Sequence, residues 1–113
     1  MKVSARQREG VTILDLEGKI TIGSGDLELR NAVQQAVNDG VKKLLINLSK
    51  VSTIDSSGVG ELVSSYTTVK NRGAQLKLVN LPAKVQDVLT VTQLIKVFDT
   101  YETEDEAIRS FAS

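Results

Sequence analysis

Thr53-Ile54-Asp55-Ser56-Ser57-Gly58-Val59-Gly60 is the stretch of this chain with the greatest capacity for chemistry. One carboxylate, two adjacent hydroxyls and two glycines stand where a buried apolar segment gives way to a helical pattern. Asp55, Ser56 and Ser57 can each accept a hydrogen bond from the free amides of a helix beginning there, which is the purely structural use of such a cluster. The glycines ask for more. Gly58 and Gly60 fall in the first turn of that helix, where each costs about 1 kcal/mol relative to Ala. Breaking a local rule twice in so short a space is the mark of a site, because a residue without Cβ lets another backbone or a bulky ligand come close. The free amides and the helix dipole favour a negative group at the same point, and a hydroxyl there can carry a phosphate. The residues therefore point either to a site for a nucleotide or other small anion, or to a modifiable serine at a contact surface.

Catalytic uses of the same serines fare worse. A nucleophile elbow needs Gly two residues before the serine, and Ile54 or Asp55 stands there. The chain has 0 His and 0 Cys. The Ser-His-Asp triad, thiol nucleophiles, disulfides and thiolate zinc sites are therefore ruled out, which leaves only a Ser-Lys pairing for a serine nucleophile. Gly23-Ser24-Gly25 lacks the lysine and spacing of a phosphate-binding loop and reads as turn chemistry. Fourteen basic and fourteen acidic residues cancel, with no long basic run, so the electrostatic footprint of a nucleic-acid binder is missing. Apolar runs stay far below the ~20 residues of a bilayer span, and no signal-peptide pattern opens the chain. The expectation is a cytoplasmic, non-enzymatic protein forming one domain over residues 1–113, without cofactor, metal, nucleic acid or membrane.

The elements that would position Asp55 and its neighbours follow from periodicity. Met1 to Glu17 reads as two strands joined at Glu9-Gly10, a hairpin signal. Gly18 to Asp26, rich in glycine, reads as a loop. Leu29, Val33, Ala36 and Val37 give one helical stripe that Asp39-Gly40 stops. Leu44-Leu45-Ile46 suits a strand covered on both faces, with Val51 and Ile54 leading into the next turn. From Ser57, the residues Val59, Leu62, Val63, Tyr66 and Val69 keep helical spacing as far as Asn71-Arg72-Gly73. Leu76, Leu78 and Val79 form a strand. Pro82 suits the start of a helix with Val85, Val88 and Leu89 inside, and a short strand is expected around Val97-Phe98. Thr103 and Glu106 make a capping box for a last helix carrying Ala107, Ile108 and Phe111. The acidic cluster Glu102, Glu104, Asp105 and Glu106 suits that helix's dipole better than a metal. The fold class is α/β: a mixed, largely parallel sheet with an N-terminal hairpin and four packed helices.

The run Ile46-Asn47-Leu48-Ser49-Lys50-Val51-Ser52-Thr53-Ile54-Asp55-Ser56-Ser57-Gly58-Val59-Gly60 resembles the signature of the STAS domain. The resemblance extends from Leu16-Glu17-Gly18 through Gly73-Ala74-Gln75-Leu76-Lys77-Leu78 to the last helix. Stand-alone bacterial members are anti-sigma factor antagonists of sporulation and general-stress signalling. The resemblance implies that an anti-sigma factor that is also a serine kinase of the GHKL type phosphorylates Ser56, the serine directly after the aspartate. It implies too that the unphosphorylated form binds this kinase and frees a sigma factor, that phosphorylation weakens the binding, and that a phosphatase restores it. The contact surface it implies takes in Thr21, Ser24, Asp55, Ser56, Ser57, Gly58, Val59 and Gly60. One departure stands out: many antagonists carry an acidic residue where this chain has Thr21, shortly after Lys19. That keeps open an unphosphorylated scaffold or accessory role in a stress-signalling or transport complex.

Overall fold

Glu9 and Gly10 both adopt positive φ, 51° and 80°, the mirror-image turn whose twist suits a two-residue hairpin. In the computed structural model, which describes residues 1–111, this turn joins β1 (Lys2–Arg8) to β2 (Val11–Ile20). The chain continues as α1 (Asp26–Asn38), β3 (Lys43–Ile54), α2 (Ser56–Asn71), β4 (Gln75–Val79), α3 (Ala83–Val91), a 3-10 turn (Leu94–Lys96), β5 (Thr100–Tyr101) and α4 (Glu104–Phe111). The sheet order is β1-β2-β3-β4-β5, with β1 antiparallel to β2 and every other pair parallel.

The apolar run of β3 serves both faces of the sheet. Leu44, Ile46 and Leu48 join β2, α1, α2 and α3 in the main core, through Leu14, Leu16, Leu29, Val33, Leu62, Val85 and Leu89 among others. Leu45 points the other way, into a smaller core where Val11, Ile13 and Val79 meet Ala107, Ile108 and Phe111 of α4. One helix thus covers only part of the second face. The remainder is polar: Arg6, Asp15, Asn47 and Asn80 form a hydrogen-bonded chain across the sheet, with Asn47 Nδ2 donating to Asp15 Oδ1 at 2.8 Å and Asn80 Nδ2 to Asn47 Oδ1 at 3.2 Å.

Several expectations need correction. The region from Gly18 is not all loop, because β2 continues to Ile20 past two register shifts that keep it paired with β3. β3 takes in Val51 and Ile54, expected to lead into the next turn, and runs unbroken from Lys43 to Ile54. The strand expected around Val97-Phe98 lies instead at Thr100–Tyr101, where Leu78 donates to the Asp99 carbonyl at 3.0 Å and Asn80 to the Tyr101 carbonyl at 3.1 Å. Phe98 is buried, its ring and that of Tyr66 packed in a T shape with centroids 5.5 Å apart. α2 begins at Ser56 rather than Ser57, while Pro82 stands at the start of α3 as expected, immediately before its first residue.

The acidic cluster at α4 answers to more than a dipole. Glu104 is bonded by Arg6 and by Arg8, the latter at 2.8 Å, while Asp105 pairs with Arg8 and Asp15 takes Arg6 Nε at 2.6 Å. Glu106 keeps its capping role, its amide donating to Thr103 Oγ1 at 3.2 Å. The Arg6 guanidinium holds both the Asp15 and the Glu104 carboxyl below their ordinary values. A carboxyl depressed in the folded state contributes stability above its unfolded pKa of about 4 and loses it as pH falls through the folded value. Between about pH 5 and pH 2 the denaturation midpoint of the wild type should therefore fall more steeply than that of Arg6→Ala. Parallel curves for the two proteins would show that this network carries no pH-dependent stability.

Candidate partner-binding and modification site

Asp55 links the two halves of the site. As the residue capping α2, it has extended backbone angles and accepts the Gly58 amide on Oδ1 at 3.0 Å. Its other oxygen accepts the Ile22 amide at 3.1 Å, reaching back to the turn after β2. These two amides, Gly58's first, hold the carboxyl below its ordinary value. With both oxygens engaged, Asp55 fastens the turn to the start of the helix.

The turn is itself closed. Thr21 and Ser24 exchange backbone hydrogen bonds at 2.7 and 2.9 Å, and the Thr21 hydroxyl donates to the Ser24 carbonyl at 3.3 Å. Gly25 follows at φ 94°, where a Cβ would lie 1.8 Å from the Lys19 carbonyl oxygen. Only glycine lets the chain fold back there to begin α1.

The two glycines of α2 differ in kind. A Cβ on Gly58 would lie 2.0 Å from the Ile20 carbonyl oxygen, so this glycine lets the first turn of the helix rest on the end of β2. Around Gly60 there is nothing within 4 Å. Its missing side chain therefore has no packing reason among the described residues.

Ser56 is the first residue of α2 and is exposed; Gly60, one turn later on the same helical face, is exposed too. Ser24 is exposed, and Thr21, Asp55 and Ser57 are half-buried. Gly58 is buried, and the side chain of Val59 packs in the main core. Thr21, Ser24, Asp55, Ser56, Ser57 and Gly60 thus share one end of the sheet, whereas Gly58 and Val59 support that surface from below.

Two features escaped the sequence reading. Ile22, at the tip of the turn, is 76% exposed, and Leu27 in the first turn of α1 is 54% exposed. An isolated apolar residue inside a glycine-rich turn was the available signal for Ile22, since turn chemistry alone calls for no isoleucine there. The second feature is a bidentate pair: Arg30 donates to both oxygens of buried Glu61, at 3.1 and 2.9 Å. It joins α1 to α2 some distance behind Ser56. Nothing in the spacing of either helix announces it.

A mixed five-stranded sheet with its turn and helix start bonded together in this way is an α/β domain of the STAS type. The STAS domain matches residues 2–107, and the chain belongs to that family. The anti-sigma-B factor antagonist of Bacillus subtilis is 30% identical over 99 residues, covering 88% of this chain and 89% of that protein. The crystal structure of a Thermotoga maritima protein, provisionally described as an anti-sigma factor antagonist, superposes with a TM-score of 0.89 at 26% identity, over 98% of this chain and 95% of that one. The Bacillus cell fate determinant SpoIIAA in its phosphorylated form shares the fold, with a TM-score of 0.72 at 20% identity over 97% of this chain and 99% of that one.

Proposed function

We propose that this chain is an anti-sigma factor antagonist switched at Ser56. Unphosphorylated, it binds an anti-sigma factor that is also a GHKL-type serine kinase and so frees a sigma factor; phosphorylated, it lets go; a phosphatase resets it. The observation that carries the reading is Ser56 itself, an exposed hydroxyl on the first residue of α2, beside a turn that Asp55 holds in place. Relatives named as anti-sigma factor antagonists, and one such fold in a phosphorylated form, support it.

The physics of the switch is local. A phosphate brings about −1.5 to −2 charges. At the start of α2 the free amides and dipole offset part of that charge within the chain. Across a protein contact the same group must be desolvated, and it stands next to the Asp55 carboxylate. Phosphorylation should therefore leave the fold intact and penalise association.

Incubation with purified GHKL-type kinases of the source organism and ATP, followed by intact mass, tests the reading. One phosphate is expected on the wild type and none on Ser56→Ala. An unmodified wild type with every kinase would favour a second reading, a scaffold or accessory subunit whose serines only cap the helix. Thr21 favours that alternative: it stands where many antagonists have an acid, and its hydroxyl is spent on the Ser24 carbonyl.

A further inference from the structure

Apolar side chains are otherwise well hidden in this protein; Ile22, Leu27 and Val91 are the large ones left exposed among the described residues. Two of the three flank the candidate site. Ile22 is exposed at the tip of a turn that backbone hydrogen bonds hold. The Thr21–Ser24 bonds close the turn beneath it, and its own amide is tied to Asp55. Leu27 is held on the first turn of α1, where the Asp26 carboxylate accepts its amide at 2.8 Å. An exposed aliphatic side chain on backbone that is already held in place leaves less to be ordered on docking, which suits an interface anchor.

We infer that Ile22 and Leu27 are the apolar anchors of the contact surface, seated in an apolar socket with a basic rim on the anti-sigma factor. This rests on the function proposed above. The occupant follows from continuity with Ser56 through Asp55 and from charge: Asp26 and Glu28 border Leu27 in the first turn of α1, and Asp55 adjoins Ile22. Of the basic groups nearby, Lys19 precedes the turn, and Arg30 is paired with Glu61 and is also attracted by Asp26. The bare helix face at Gly60 leaves room for the wall of the socket.

The test measures the affinity of unphosphorylated wild type, Ile22→Ser, Leu27→Ser and Val91→Ser for the purified GHKL-type anti-sigma factor, alongside melting temperatures. Val91 is 82% exposed at the last residue of α3, and serves as the control for losing an exposed aliphatic group. Ile22→Ser and Leu27→Ser should each weaken binding about tenfold or more, as burial of one aliphatic side chain implies, with melting unchanged. Val91→Ser should bind like wild type. Association should slow with added salt, as attraction between Asp26, Glu28 and a basic rim requires. Wild-type affinity in both Ile22→Ser and Leu27→Ser would overturn the anchors while leaving the proposed function standing. Salt-independent association would overturn the basic rim. A wild type that binds no such kinase would remove the function and the anchors together.

Discussion

Ser56→Asp should bind the anti-sigma factor at least about tenfold more weakly than wild type, while Ser56→Ala binds as tightly as the unphosphorylated protein; a tenfold change needs only about 1.4 kcal/mol. The Asp variant places one charge where phosphate would place nearly two, so its effect is a lower bound on the modified protein's. Stability should move the other way. A carboxylate in the first turn of a helix is favoured by roughly 0.3–1 kcal/mol, and Ser56 is exposed, so no packing is lost. Weaker binding with unchanged or raised melting temperature separates a charge effect at a contact from damage to the fold. Calorimetric titration of both variants against the purified kinase decides it. Equal affinities would mean that charge at this position does not control the contact.

Alanine at the two glycines of α2 should move stability in opposite directions. On Gly58 the added Cβ would lie 2.0 Å from the Ile20 carbonyl oxygen and 2.7 Å from Ile54 Cγ1. The first obstacle is backbone and cannot rotate away. The helix start must lift off β2, straining the amide that Gly58 donates to Asp55. Overpacking of this kind costs about 3 kcal/mol, and with roughly 4 °C per kcal/mol for a chain of this size the melting temperature should fall by about 10 °C or more. On Gly60 the Cβ meets nothing, and the gain in helix propensity of about 1 kcal/mol should raise melting by a few degrees. Binding should nevertheless weaken in Gly60→Ala, because the exposed face one turn from Ser56 is then no longer bare. Thermal melts of the two variants test the first contrast; a Gly58→Ala protein as stable as wild type would show that α2 can shift freely on β2.

Much of this architecture could be read from spacing alone. Leu29, Val33, Ala36 and Val37 announced α1, and the Leu44-Leu45-Ile46 run announced a strand covered on both faces, as the division of its side chains between two cores bears out. What could not be read depends on partners distant in the chain. β3 reaches Ile54 because shifts in β2 restore pairing at Lys19 and Ile20. β5 falls at Thr100–Tyr101 because β4 supplies the hydrogen bonds there, whereas the apolar residues just before it are drawn into a 3-10 turn and the core. At the site, Asp55 was legible as a cap, but its second bond to Ile22 was not. A cap is a local pattern; a carboxylate shared between a helix and a remote turn is a product of topology. Gly58 and Gly60 looked alike in the sequence, and only the approach of β2 separates them.

The central claim, a contact switched at Ser56, is tested most directly with the wild-type chain itself. The protein is phosphorylated to completion by the GHKL-type kinase, the modified residue is mapped by mass spectrometry, and the affinities of the two forms for that kinase are compared. The account predicts a single phosphate on Ser56 and binding at least about tenfold weaker than that of the unmodified form. A phosphate elsewhere, or equal affinity with Ser56 fully modified, would contradict it.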